Sequence, residues 1–238
     1  MRVLEIGNLS VEVVKKDIKN LHLAVYPPDG RVRLAAPANV NDNTLRLFTI
    51  SKLGWIRRQQ RKFTSQDRQP ERKYLQRESH YFLGKRYLLR VIEQDKPPRV
   101  VIKNKTYIDL YCKPGATKES MQIQMEEWYR SQLKEIIPGL VDKWQKKIGV
   151  EAEEWGVRKM KTKWGTCNIS HKRIWLNLEL AKKPLHCLEY IIVHELVHLL
   201  ERLHNDRFLA HMDRFLPKWK VYREELNLLP VSHIDWQY

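Results

Sequence analysis

The chain has 238 residues, enough for a substantial buried core, with 44 Lys and Arg against 28 Asp and Glu and a formal charge of +16. This excess favours polyanionic partners such as nucleic acid or a nucleotide, although a solvated basic surface with no selected partner is the alternative. No run of about 18 apolar residues is present, so we expect no transmembrane helix and no membrane partner. Three dispersed cysteines and an N-terminal segment without an apolar signal region predict a cytoplasmic protein.

The first part of the sequence is typical of β-structure. Apolar and polar residues alternate in residues 9–14, 21–26 and 31–36, and the sequence Pro-Pro-Asp-Gly at 27–30 predicts a hairpin between the last two runs. A second hairpin is predicted in residues 81–92, with its turn at Gly84, and further strands near 100–102 and 107–111.

A helix is predicted between the two hairpins, from Asn43 to about Thr64. Its basic end, Arg-Arg-Gln-Gln-Arg-Lys at 57–62, adjoins Trp55 and Phe63, a mixture of basic and aromatic residues that single-strand nucleic-acid binders use. Cations are also favoured at any helix C-terminus, so an ordinary exposed helix end is the alternative. Residues 65–80 are polar and predict an exposed connection.

After Pro114-Gly115 the pattern changes to a helical period. A helix is predicted over 119–136, interrupted at Pro138-Gly139 and followed by a second helical stretch to Ile148. Paired short strands are predicted within 155–167 and another strand at 174–178. A helix from Pro184 to about Arg202 and a last one over 208–216 complete the pattern, and no internal repeat is evident.

The helix predicted near residue 190 carries a metal-binding pattern. His194 and His198 are four residues apart, so they project from one face of a helix and can bind one zinc ion. Glu195 lies beside them, where it can take a proton from a water molecule that the metal activates. Two histidines on an apolar helix could instead be core residues, but burying them with Glu195 and no metal would leave several polar groups to satisfy.

A catalytic zinc needs a third protein ligand. His204 follows His198 by six residues, and the Asn205-Asp206 pair favours a turn that would bring His204 back to the metal. Glu201 is the rival ligand, and we prefer His204 because Glu201 would have to reach past a helical turn. His211 is either a hydrogen-bonding neighbour of this site or plain surface, and Cys167 and Cys187 are interpreted as small buried residues.

Four strings of the C-terminal half carry a family resemblance: RKMKTKWGTC at 158–167, IWLN at 174–177, YIIVHELVH at 190–198 and His204-x-x-x-Phe208. They resemble the YgjP-like metallopeptidase family, which is related to the WLM and SprT-like zinc proteases and to minimal gluzincins. Residues 19–23 and 51–60 fit the same family. Lys163 and Thr166 stand where relatives more often carry Arg and Ser.

The resemblance implies an α+β fold. It implies a β-rich N-terminal domain with one helix in residues 1–115, and a zincin-like helical catalytic domain with a small sheet in residues 116–238. It also implies about one zinc ion per chain on His194, His198 and His204, with Glu195 as general base.

Three functions follow as hypotheses. The first is a zinc-dependent metallopeptidase, whose peptide or protein substrate would lie along an edge strand at 174–178, unless that segment is a core strand. The second is a metal-dependent pyrophosphohydrolase of nucleoside triphosphates such as UTP, which some relatives are described as and which the basic run Arg158, Lys159, Lys161 and Lys163 would suit. The third is a nucleic-acid-associated protease or binding protein.

Overall fold

The structure, a computed structural model, describes residues 2–26, 29–65, 72–160 and 163–228. The chain divides into two compact units, Met1–Arg68 and Gln69–Tyr238. Each unit has its own cluster of buried apolar residues. Helices and small mixed sheets make up both units, which confirms the predicted α+β class.

The first unit is a four-stranded sheet followed by two helices. Its elements are β1 (Arg2–Ile6), β2 (Leu9–Lys16), β3 (His22–Tyr26), β4 (Arg31–Pro37), α1 (Asp42–Ser51) and α2 (Leu53–Ser65). The predicted hairpin of β3 and β4 is confirmed as an antiparallel pair, although Pro27 and Pro28 of its turn lie outside the described residues. The single helix predicted from Asn43 is instead two helices, because the chain leaves helical geometry at Lys52.

The second unit begins with a sheet of the same topology. Its strands are β5 (Ser79–Phe82), β6 (Lys85–Glu93), β7 (Arg99–Ile102) and β8 (Tyr107–Cys112). Each sheet consists of two antiparallel hairpins side by side. The second strand of the first hairpin pairs in parallel with the second strand of the next hairpin. Gly7 and Gly84 lie in corresponding turns with positive φ, and Asn41 and Thr117 cap the helices that follow. The described chain therefore contains a repeat of topology that the sequence does not reveal, because the pattern of burial is kept while the side chains differ.

The long helix α3 (Lys118–Ile148) runs straight through the predicted interruption at Pro138. Its buried residues recur at every third or fourth position, including Leu133, Ile137 and Val141, and this stripe continues across the proline. An interior proline costs about 3 kcal/mol, whereas each large apolar side chain buried on either side contributes about 1.5–3 kcal/mol. Pro138 itself is exposed, so its ring meets solvent rather than the core.

The C-terminal half of the second unit consists of a three-stranded sheet and three helices. The elements are β9 (Glu154–Arg158), β10 (Gly165–Asn168), β11 (Arg173–Asn177), a 3-10 turn (Leu178–Lys182), α4 (Leu185–Val197), α5 (Asp206–Phe215) and α6 (Trp219–Leu228). The strand order is β10-β11-β9, so the short strands predicted as a pair lie on opposite sides of β11. Sequence reasoning did not predict β1 or α6.

The boundary predicted after residue 115 falls inside the second compact unit. Both β7 and β8 pack on α3, so the second sheet shares its core with the C-terminal half of the chain instead of with the N-terminal sheet. In the part of the chain that the structure describes, no helix combines the length and apolar character that crossing a bilayer requires.

Candidate metal centre

Three histidine side chains converge at the C-terminal end of α4. His194 lies in the last turn of that helix, His198 is the residue that ends it, and His204 lies in the loop before α5. Their ligand nitrogens all lie within 4.8 Å of one another, and Nε2 of His194 is 3.0 Å from Nε2 of His204. The structure thus brings together the three predicted ligands; their assignment as ligands stays a prediction.

The arrangement fits a zinc ion. Two nitrogens on a tetrahedral zinc at its usual bond length lie about 3.3 Å apart, close to the separation of the two Nε2 atoms. Burial first, and then the neighbouring His198 and His204, lower the pKa of His194 to about 3, which keeps its imidazole neutral and its lone pair available. Nδ1 of His198 donates to the carbonyl oxygen of Glu201 at 3.1 Å, which fixes the tautomer and leaves Nε2 free for a metal.

Phe208 supports all three imidazoles. Its ring centroid lies 4.9 Å from that of His194 and 4.7 Å from those of His198 and His204, and its side chain is 1% exposed. Asn205 begins α5 by accepting a hydrogen bond from the backbone N–H of Phe208. The helix start therefore fixes the aromatic ring, and the ring limits the positions that the histidines can take.

Glu201, the rival ligand, has a different role in the structure. Its carboxylate accepts a hydrogen bond from the backbone N–H of Leu203 at 3.1 Å. This bond, with that between Glu201 and His198, shapes the turn that presents His204. α4 ends earlier than predicted because Leu199 and Leu200 bond to carbonyls only three residues back, which tightens the chain into this turn.

Glu195 is buried beside the histidines, with 4% of its surface exposed. Burial raises the pKa of its carboxyl to about 8, although the nearby Lys163 acts in the opposite direction. A pKa close to neutrality suits a group that must both accept and release a proton. A Cβ on Gly165 of β10 would come within 2.5 Å of Oε1 and 2.8 Å of Cγ of Glu195, so the absence of a side chain there makes room for the carboxyl group.

The three histidines and Glu195 line a cleft of about 850 Å³. One wall is β10 with the turn that follows it, and the cations Lys163 and Arg202 also line the cleft. Cys167 is only half-buried and lines this cleft, so its interpretation as a buried core residue was wrong, whereas Cys187 is fully buried as predicted. Burial, with a contribution from Glu195, raises the pKa of the Cys167 thiol to about 11.

The strand predicted to bind substrate is not at an edge. β11 pairs with β10 on one side and β9 on the other, and Ile174 and Leu176 point into the core. The interpretation of residues 174–178 as an edge was therefore wrong, and the alternative of a core strand holds. Among the described residues β10 pairs with β11 alone, so its other edge is the one available beside the cleft.

Asn177, at the end of β11, forms hydrogen bonds that hold the segment preceding β10 in place. Its Oδ1 accepts from the backbone N–H of Met160 and of Glu179, and its Nδ2 donates to the carbonyls of Met160 and Lys163. Sequence reasoning gave no role to Asn177, Gly165 or Phe208, although all three stand in the strings that carry the family resemblance. No local pattern could have assigned these roles, because each depends on a tertiary contact.

His211 and a second group of potential metal ligands lie away from the three histidines. His211 is partly exposed and stacks on Phe215, so it is not one of the convergent ligands. His186, Cys187 and Glu225 also place donor atoms within 4.8 Å of one another. Nε2 of His186 lies 2.6 Å from a carboxylate oxygen of Glu225, and this hydrogen bond between α4 and α6 accounts for the group.

The fold and the three-histidine site are those expected of a metallopeptidase domain. A model of the YgjP-like metallopeptidase domain matches residues 19–228, so the chain belongs to the YgjP-like family. Two solved metallopeptidase zymogens are similar over 38% of this chain. Abylysin of Pyrococcus abyssi has 18% identity over 90% of its own chain and a TM-score of 0.36. Jannalysin of Methanocaldococcus jannaschii has 20% identity over 92% of its chain and a TM-score of 0.35. No curated protein matches the chain at a significant level.

Proposed function

We propose that the chain is a zinc-dependent metallopeptidase in which His194, His198 and His204 hold the metal and Glu195 is the general base. The observation that carries this proposal is the convergence of three imidazole nitrogens within 4.8 Å beside a buried carboxyl group, at an open cleft. Membership of a metallopeptidase family supports it. The three cysteines are free thiols, which supports the cytoplasm as the proposed location.

The roles of the residues follow from their positions. A zinc ion held by the three imidazoles would polarise the scissile carbonyl and lower the pKa of a water molecule. Glu195 accepts the proton of that water as it attacks the carbonyl carbon. Glu195 then gives the proton to the leaving amine, which restores its starting state. Gly165 leaves the space in which the carboxyl group makes both transfers.

The substrate that fits this cleft is an extended peptide. Residues of β10 line the cleft, and among the described residues this strand pairs only with β11, so a peptide could add to its other edge as a further strand through main-chain hydrogen bonds. Main-chain pairing places no demand on side chains, so substrate choice would rest on the cleft walls. Lys163 and Arg202 would there favour acidic side chains.

The substitution Glu195→Gln tests the general base. Glutamine keeps the volume of the side chain but cannot take up a proton, so we expect bound zinc to stay and hydrolysis of an unfolded protein to fall by about 100-fold or more. Zinc content is measured by elemental analysis and hydrolysis by release of labelled peptides. Full activity in a variant that retains zinc would rule out this mechanism.

A second candidate is hydrolysis of a nucleoside triphosphate such as UTP, which the cleft cations Lys163 and Arg202 favour. The rest of the predicted basic run supports it less. Arg158 stacks on Trp175, Lys159 pairs with Glu126, and Lys161 lies outside the described residues. Assays of UTP and unfolded protein in parallel, with and without chelator, decide between the two. Chelator-sensitive cleavage of UTP without proteolysis would favour the second candidate over the first.

A further inference from the structure

The two helices of the first unit are strongly basic, and the one acidic residue within their bounds is Asp42, the first residue of α1. Residues 43–66 contain six Lys and Arg and no Asp or Glu. In α2, Arg57, Arg58 and Arg61 are exposed. Among the described residues, none of these three forms an ion pair.

Two carboxylates of this unit form ion pairs away from α2. Glu12 pairs with Arg31 and Arg33 in the sheet, and Asp42 pairs with Arg2 at the start of α1. These two acids therefore neutralise cations away from α2, and in the described part of the chain no ion pair neutralises Arg57, Arg58 or Arg61.

Helix stability does not explain the arginines. Arg57 and Arg61 are four residues apart and Arg58 and Arg61 three apart, spacings at which like charges repel. The favourable interaction of cations with the helix dipole falls off within the last turn. α2 ends at Ser65, so Arg57 and Arg58 lie too far from the end to benefit from it.

A groove of about 740 Å³ is lined by Arg58, whereas Arg57 lines a separate pocket together with Ile6 and Leu9. Leu23, Phe48 and Trp55 supply apolar and aromatic surface, and His22, Lys52 and Arg58 supply polar and cationic groups. Trp55 is 36% exposed and stands three residues from Arg58, on the same side of α2. The groove thus presents an aromatic ring next to a guanidinium group.

We propose that this surface binds single-stranded nucleic acid, with a base stacked on Trp55 in the groove and phosphates paired with Arg57, Arg58 and Arg61. Stacking platforms beside a cationic track are the physical basis of single-strand binding, and they select little for sequence. Bases inside a duplex are already stacked on each other and cannot enter such a groove. A lipid surface would require a continuous apolar helix face, which the arginines of α2 interrupt.

The first test compares two triple variants of the full-length protein. R57Q/R58Q/R61Q removes the proposed phosphate contacts, and R86Q/K103Q/K105Q removes the same charge from exposed positions of the second unit. The probe is a fluorescein-labelled oligothymidylate of about 20 nucleotides, followed by fluorescence anisotropy. We expect the first variant to bind about tenfold or more weakly, and its slope of log affinity against log salt to fall by about 2. The second variant should bind like the wild type.

The second test separates stacking from charge. Trp55→Ala should weaken binding about 5- to 100-fold at every salt concentration without changing the salt slope. Trp55→Phe should recover part of the lost affinity because it restores an aromatic face. Circular dichroism and thermal melting show whether each variant is folded.

Four results would overturn the proposal. Duplex DNA could bind as tightly as the single strand, or anionic phosphatidylserine vesicles could bind where the oligonucleotide does not. The two triple variants could lose affinity equally, which would mean that net charge alone drives binding. A folded Trp55→Ala variant could bind with unchanged affinity, which would remove the stacking site.

Discussion

Gly165 determines how the carboxyl group of Glu195 can lie. A Cβ at this position would lie 2.5–2.9 Å from three atoms of that side chain, so Gly165→Ala must displace it. A displacement of about 1 Å in a catalytic group can cost about 100-fold in rate. We therefore expect Gly165→Ala to retain zinc and to lose about 10- to 100-fold in kcat for peptide hydrolysis.

Gly139→Ala is the matched control for that substitution. Gly139 is exposed in α3, and a Cβ there would meet nothing within 4 Å. This variant should keep full activity and gain about 0.5–1 kcal/mol of stability, because alanine favours a helix over glycine. Equal activities of the two alanine variants would show that Gly165 does not position Glu195.

His80 links stability to pH. It is 3% exposed, its Nε2 has no hydrogen-bond partner among the described residues, and Glu78 lies 3.7 Å away. Burial first, and then the charges of Arg72 and Lys182, lower its pKa to about 3. Between about pH 3 and 6.5 the unfolded chain binds a proton that the folded chain does not. The stability from His80 is thus complete above about pH 6.5 and decreases as the pH falls.

The expected loss for the wild type is about 1.4 kcal/mol per pH unit, or about 2 kcal/mol between pH 6.5 and 5. His80→Gln should lack this part of the decrease, so urea unfolding of the two proteins at pH 7 and pH 5 should differ by that amount. His171→Gln, at an exposed turn, is the matched control. Parallel stability curves for the wild type and His80→Gln would contradict the prediction.

At the residue scale, most of the candidate metal site could be predicted from the sequence. His194, Glu195 and His198 follow from helical spacing, and His204 from a turn signal between two helices. Gly165 does not follow, because its contact with Glu195 joins segments far apart in the chain. Phe208 is close to His204 in sequence, but its place beneath all three imidazoles depends on how α5 folds back onto α4.

At the scale of elements, Asn177 connects β11 to the segment that leads into β10. It is 4% exposed and uses two acceptor and two donor bonds of its amide. Asn177→Asp keeps the shape but removes both donors and places an acid opposite two carbonyl oxygens. We expect a loss of about 2–4 kcal/mol in the free energy of unfolding, measured by urea denaturation.

Asn104→Asp is the control for that change. Asn104 lies at an exposed turn, where its Oδ1 only accepts hydrogen bonds from Thr106 and Tyr107. An aspartate accepts the same bonds, so the stability should change by less than about 0.5 kcal/mol. A similar small change for Asn177→Asp would show that the amide donors are not needed.

Elements with local signals were the most predictable. The turn at Gly84 and the alternation around residues 27–30 identified two hairpins, because a hairpin is specified by its own residues. The continuity of α3 through Pro138 and the central position of β11 were not predictable. Both depend on packing against segments distant in sequence, which outweighs the local preference.

At the scale of the whole molecule, the two separate cores predict that the second unit folds and is active without the first. The buried apolar residues around the site, Phe208 among them, all belong to the core of residues 69–238. We expect a fragment of those residues to fold, retain zinc and hydrolyse peptides, and to lose the affinity for single-stranded oligonucleotide. An unfolded or inactive fragment would show that the first unit contributes to the catalytic site.

The central claim is that His194, His198 and His204 hold one metal ion on which hydrolysis depends. Elemental analysis of purified protein, with peptide hydrolysis measured on the same samples, tests it most directly for the wild type, His204→Ala and Glu201→Gln. We predict about one zinc ion per chain in the wild type and in Glu201→Gln, whose amide oxygen can still accept from Leu203. His204→Ala should lose both zinc and activity. A wild type without metal, or hydrolysis that persists after complete chelation, would contradict the account.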